Sequence, residues 1–248
     1  MPTTAGAPAG GDTPPVRRRV PPRLSFSLLK TTMAVTGTVM AAFVVVHMVG
    51  NLKALLGPES FNGYAAWLRE LGYPLLPHEG LLWILRVVLA GCLAAHVAAG
   101  LTLWRRARRS GGAVSGGRRM RVRTTGARSM VLTGGLLLVF VAVHVLDLTI
   151  GRLVAPQGFL APAGTGQVHA YENLVASLSR PVMAAFYSLV MLTLGLHLAQ
   201  GLWSVVHDLG GTGARLRRTV LIIALAVAAS VALVNGMLPL LVLTGRIP

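Results

Sequence analysis

Five stretches of this chain, at about 26–56, 81–104, 128–151, 181–206 and 219–243, are predominantly apolar and long. Crossing the hydrocarbon core of a bilayer as a helix takes roughly 20 apolar residues, and each stretch supplies them. No water is available at that depth, so the backbone must satisfy its own hydrogen bonds and the stretches must be helices. The expected fold class is all-α: an integral membrane bundle of five transmembrane helices occupying 23–248. Composition agrees. Only 12% of residues are charged and 54% are hydrophobic, against about 25% charged in an ordinary soluble domain. A soluble enzyme, a disordered protein and a collagen-like fibre are excluded. One cysteine, Cys92, excludes a disulfide framework, a four-cysteine zinc site and an iron–sulfur cluster held by this chain alone.

Residues 1–22 are rich in Pro, Gly and Thr and contain Arg17-Arg18-Arg19. They cannot form a core and read as a disordered cytoplasmic tail. They do not read as a signal peptide, because the next apolar stretch is long, contains a histidine and lacks a small-residue cleavage site. No solenoid-type repeat runs through the chain. The net charge is +16, and its placement matters more than its size. The tail with Lys30, the second link and the fourth link hold 17 of the 23 basic residues; the first link, third link and C-terminus hold five, and Arg86 lies within the second helix. The positive-inside rule then puts the N-terminus in the cytoplasm and the C-terminus outside. The charge is a topology signal beside lipid, so no nucleic-acid partner is expected.

His47, His96, His144 and His197 fall one in each of the first four apolar stretches. Ionisable residues at membrane depth are costly and usually functional. A rise of 1.5 Å per residue places them along the bundle. Counted from the basic edge, His96 and His197 lie ~14 and ~16 Å deep, and His47 and His144 ~26 and ~24 Å deep. The four thus fall at two levels, as two bis-histidine haems stacked through a bundle require. Small residues lie about one turn from three of these histidines: Gly50 beside His47, Cys92 and Gly100 beside His96, and Gly201 beside His197. They let a porphyrin approach the backbone, or let helices pack closely. His78, His169 and His207 read as loop or interfacial residues.

Two segments carry a family resemblance. Lys30 to Arg69 reads KTTMAVTGTVMAAFVVVHMVGNLKALLGPESFNGYAAWLR, and Tyr187 to Gly210 reads YSLVMLTLGLHLAQGLWSVVHDLG. The first is close to an H-M-x-G-N-L pattern and the second to G-L-H-L-x-H-G-x-W-S-x-x-Q-T-L-G. Both are patterns of the cytochrome b membrane anchor of bacterial succinate dehydrogenase, of the single-chain, five-helix, di-haem type shared with some quinol:fumarate reductases. The second and third helices match more loosely, through His96 and FVAVHVLDLTIG. The resemblance covers roughly 25–245. It departs at Gln200 and His207, where the family has His and Gln. It departs again at Gly195, where some members carry a glutamate used in proton return.

The resemblance implies two haem b groups, with irons on His96 and His197 (proximal) and on His47 and His144 (distal). It implies electron transfer to menaquinone or another quinone. The flavin and the iron–sulfur clusters would lie in a flavoprotein subunit and an iron–sulfur subunit. The site would be the bacterial cytoplasmic (inner) membrane, with room for a higher oligomer of the complex. Lys30, Thr31 and Arg180 are candidate contacts for haem propionates, and Trp203 for packing on a haem edge. Glu70, His78 and Asp147 are candidates for a quinone site, with Glu79 nearby; Asn235 reads as a helix-packing hydrogen bond. Two rival classes stay open: a transporter relaying protons through its histidines, and a haem-free anchor whose histidines are vestigial or hold something else, such as a mixed cluster on Cys92 and His96 shared with another subunit. A transporter would be colourless.

Overall fold

The computed structural model describes residues 24–110, 125–162, 167–208, 210–211 and 213–247. The tail expected at 1–22 and most of the basic link between the second and third spans lie outside the described residues. What is described contains no β-strand and seven α-helices: α1 (Phe26–Asn51), α2 (Pro58–Glu70), α3 (Gly80–Ser110), α4 (Thr125–His144), α5 (Ala170–Leu178), α6 (Pro181–Asp208) and α7 (Ala214–Leu243). Five segments are long and apolar enough to cross a membrane: Phe26–Leu56, Gly80–Arg109, Ser129–Ile150, Pro181–Asp208 and Ala214–Leu243. The protein is therefore an all-α bundle of five candidate membrane spans.

Two helices run past their apolar stretches. α3 continues through Arg105–Arg109, and α7 begins at Ala214 rather than at 219. An extra turn keeps the backbone hydrogen-bonded as it leaves lipid, and arginine stems can lie along apolar surface while their heads reach water. The two long links are also more ordered than a polar composition suggests. The first folds into α2, opened by Gly57 and by Pro58 at its first position, where a missing N–H costs nothing. The third link, between the third and fourth spans, folds into α5. Asn62 joins the two: its Oδ1 accepts from the Tyr171 N–H near the start of α5, and its amide donates to the Glu172 carboxylate. α2 and α5 so form a short layer at the end of the bundle away from the arginines of α3 and α7.

In the bundle α1 packs on α3 and α6, α4 packs on α6, and α7 lies along α6 and against α1. The α6–α7 seam is built from small residues. Ala224, Ala228, Ala232 and Gly236 recur every four residues on α7. A Cβ at Gly195 of α6 would stand 2.9 Å from Ala232 Cβ and 3.1 Å from the Ala228 carbonyl. Lipid supplies no hydrophobic drive between helices, so this close backbone approach does the work. The seam has no room for a side chain at 195.

Candidate functional site

The four intramembrane histidines sit on α1, α3, α4 and α6. Because α1 neighbours α3 and α6 while α4 neighbours α6, α1 and α4 face one another across the interior. Their histidines meet there. The rings of His47 and His144 are 5.9 Å apart, edge to face. Two imidazoles on one metal need about 6 Å between ring centres, given about 2 Å for each metal–nitrogen bond. His96 on α3 and His197 on α6 are the other two, each beside a threonine of a neighbouring helix. Of the pairing expected from depth, His47 and His144 are neighbours. Among the described residues no group of three or more His, Cys, Asp or Glu side chains gathers as a metal site; each couple offers two ligands only.

The couple nearer the basic end of the bundle, here called inner, is bordered by two threonines. Thr36 Oγ1 donates its proton to the Thr32 carbonyl at 2.6 Å, so its oxygen is left to accept, and His96 Nδ1 lies 3.1 Å away. Thr133 Oγ1 donates to the Ser129 carbonyl at 2.9 Å and has His197 Nδ1 at 3.0 Å. A proton on Nδ1 finds that oxygen as its acceptor in each case, and this tautomer leaves Nε2 with a bare lone pair. That is the tautomer a metal takes, and a hydrogen bond on the far nitrogen is the usual way it is held.

The outer couple is built from aromatic rings and one buried carboxylate. Phe43 stacks on His47 and Phe140 on His144, each from one turn earlier on its own helix. The Tyr187 hydroxyl donates to Asp147 Oδ2 at 3.0 Å and lies 3.5 Å from His144 Nδ1. Asp147 is fully buried. It sits in a π-helical turn, Val145–Ile150, that follows α4. Ser177 donates to its Oδ2, and Arg180 Nη2 to its Oδ1 at 2.9 Å. Arg180 also holds the carbonyls of Val154 and Ser177.

The other sequence candidates take varied places. Asp147, expected near a quinone, is enclosed and bonded on both oxygens. Arg180, expected at a propionate, is its ion-pair partner. Lys30 pairs with Asp208 across α1 and α6, and Thr31 is exposed. Trp203 packs against His207, 4.3 Å between rings, and its carbonyl meets His207 Nδ1. Glu70 and His78 are exposed, and His78 stacks on Tyr73. Glu79 bridges Arg69 and Arg86. Gly50 faces the Tyr64 ring, whereas Gly100 and Gly201 face the methyl ends of Met33 and Met130. Asn235 accepts from Asn51, as a helix-packing bond does.

Thr36, Thr133, Tyr187 and Ser177 were not among the residues expected from sequence. A signal for the threonines exists. Met33, Thr36, Gly37, Phe43 and His47 recur 97 residues later as Met130, Thr133, Gly134, Phe140 and His144. His96, Ala98, Gly100 and Leu101 recur 101 residues later as His197, Ala199, Gly201 and Leu202. The contacts repeat with the residues. Thr36 and Gly37 touch His96 as Thr133 and Gly134 touch His197, and Met33 lies on Gly100 as Met130 lies on Gly201. The α1–α3 pair and the α4–α6 pair are copies of one unit, and each histidine couple joins equivalent positions of the two copies. No protein-family model, no curated protein and no solved structure matches the chain.

Proposed function

We propose that this protein is the membrane anchor and cytochrome b subunit of a succinate dehydrogenase, carrying electrons through two haems to a quinone. The observation that carries the haem reading is the pair of histidine couples, each made from equivalent positions of two repeated helix pairs. Two stacked sites of one kind are what such a repeat would build. His96 and His197 would hold one iron, and His47 and His144 the other; bound there, haem supplies one-electron transfer that side chains cannot. The chain's own contribution is to fix the rings. Thr36 and Thr133 hold the inner couple by Nδ1, while Phe43, Phe140 and Tyr187 hold the outer one.

The choice of succinate dehydrogenase rests on the resemblance of 30–69 and 187–210. In that reading a flavoprotein subunit and an iron–sulfur subunit deliver electrons at the basic end of the bundle. The N-terminus is cytoplasmic, the membrane is the bacterial inner membrane, and the quinone takes two electrons and two protons. Gly195 in the closed α6–α7 seam leaves no carboxylate there for a proton path through α6.

The test is a reduced-minus-oxidised optical spectrum of the complex purified from membranes, with haem quantified per chain. Two b-type haems per chain are expected. One would leave a single couple as a ligand pair. A colourless preparation would overturn the reading in favour of a haem-free anchor or a proton-relaying transporter.

A further inference from the structure

At the end of the bundle away from the basic residues, α1 and α7 part to leave a groove of about 210 Å³. It is lined by Asn51, Leu52 and Leu55 on one side and by Leu233, Val234, Met237, Leu238 and Leu241 on the other. Leu52, Leu55, Leu233 and Met237 are exposed on the outer surface of the bundle, so the groove opens where lipid would lie. Its one polar side chain is Asn51, and that amide is held in place. Asn51 Nδ2 donates to Asn235 Oδ1 at 2.9 Å, and Asn235 Nδ2 in turn donates to the Val231 carbonyl. Among the described residues nothing hydrogen-bonds Asn51 Oδ1, and one Nδ2 proton also stays available. Pro239, inside α7, lacks the N–H that would bond the Asn235 carbonyl and frees a further acceptor nearby.

Asn51 is one turn beyond His47 on the same face of α1, with about 5–6 Å between their Cβ atoms. An acyl chain would leave the amide unused. A ring bearing two oxygens would use it in either state, accepting from N–H as a quinone and donating to Oδ1 as a quinol. The volume falls short of the roughly 300 Å³ at which closed small-molecule pockets begin. It suits a head group whose tail remains in lipid.

We propose that this groove seats the head ring of an isoprenoid quinone, with one ring oxygen on the Asn51 amide and the tail running out between Leu233 and Met237. This rests on the quinone-linked reading above, and it moves the site from the exposed Glu70 and His78 to the α1–α7 seam.

An azido-substituted short-chain naphthoquinone, photolysed on the full complex in lipid nanodiscs and mapped by mass spectrometry, tests it. Labelling of 51–55 and 233–241 that excess unlabelled quinone suppresses is the expected result. Asn51→Leu should weaken binding by about threefold to tenfold, the worth of one hydrogen bond. Met237→Trp, which fills the groove without touching the amide pair, should abolish labelling there. Label on 70–79 instead, or label in the groove that excess quinone does not suppress, overturns the proposal; the latter is simple partition into lipid. The haem spectrum of the same preparation separates the two claims. Two haems with label elsewhere sink the groove alone, whereas no haem sinks the reading beneath it.

Discussion

At the scale of single residues, the inner histidines depend on two threonines whose hydroxyls are each already committed to a carbonyl one turn back. Valine keeps the shape of threonine and removes the acceptor. Thr133→Val should leave the His197 N–H unpaired, at about 1–3 kcal/mol; Thr36→Val should cost less, because the Met33 carbonyl is a second acceptor for His96. Losing such an outer partner typically costs 10–100-fold in metal affinity. Haem retained through a detergent wash, quantified per chain, should fall in both variants and be restored by serine; equal retention in valine and serine variants would remove the role. Asp147 makes the opposite kind of case. It is fully buried, and Arg180 is the cation that neutralises it. Arg180→Met strands that charge, with an expected loss of about 3–5 kcal/mol in thermal unfolding. Adding Asp147→Leu should recover part of the loss, because the pair then leaves together. A double variant less stable than Arg180→Met would show that Asp147 is held chiefly by Ser177 and Tyr187.

Among the helices, close approach is decided where a side chain is missing. Gly195 meets Ala232 Cβ and a backbone carbonyl of α7, neither of which can swing aside. Gly195→Ala should therefore push α6 from α7 and cost about 1–3 kcal/mol, as overpacking does. Gly63 on α2 has nothing within 4 Å of where a Cβ would stand, so Gly63→Ala should be neutral or stabilising by up to about 1 kcal/mol. Melting temperatures of the two variants in one detergent give the comparison, and equal shifts would refute it. The same contrast marks what the sequence made legible. Hydropathy alone located the five spans, because lipid leaves apolar segments only one backbone solution. Counting rise per residue set His47 and His144 at one level, and their rings are neighbours, because a straight helix turns sequence distance into depth. The partners of Asp147 and the threonines were beyond that method. A π-helical turn re-aims Asp147 away from the register of α4, so a three-residue spacing from His144 could not say that Ser177, Arg180 and Tyr187 would enclose it. Thr36 lay on the face toward α3 and Thr31 did not, which depends on helix rotation rather than depth. The repeat at 97 and 101 residues held that rotation in plain sight, since it marks the same threonine and glycine in both halves.

For the molecule as a whole, the asymmetry of charge and the symmetry of the two halves make separate demands. The basic residues on α3 and α7 lie at the end opposite α2, so the proposed topology places Glu59 outside the cell and Arg217 inside. In a Cys92→Ala background, Glu59→Cys should react with a membrane-impermeant maleimide in intact spheroplasts, and Arg217→Cys only after permeabilisation; the reverse pattern would invert the bundle. The symmetry makes a sharper demand. If each couple joins equivalent positions of two copied helix pairs, the chain cannot place one haem in each copy; both haems must lie between the copies. Removing a histidine from either half should then delete the same haem. His47→Ala and His144→Ala should give matching reduced-minus-oxidised spectra that lack one component. His96→Ala and His197→Ala should match each other and lack the other component. The remaining haem should persist at reduced occupancy, since α1, α4 and α6 border both sites. A spectrum in which His47→Ala matches His96→Ala would instead put each haem within one α-helical pair, and the interface between the halves would no longer be the site.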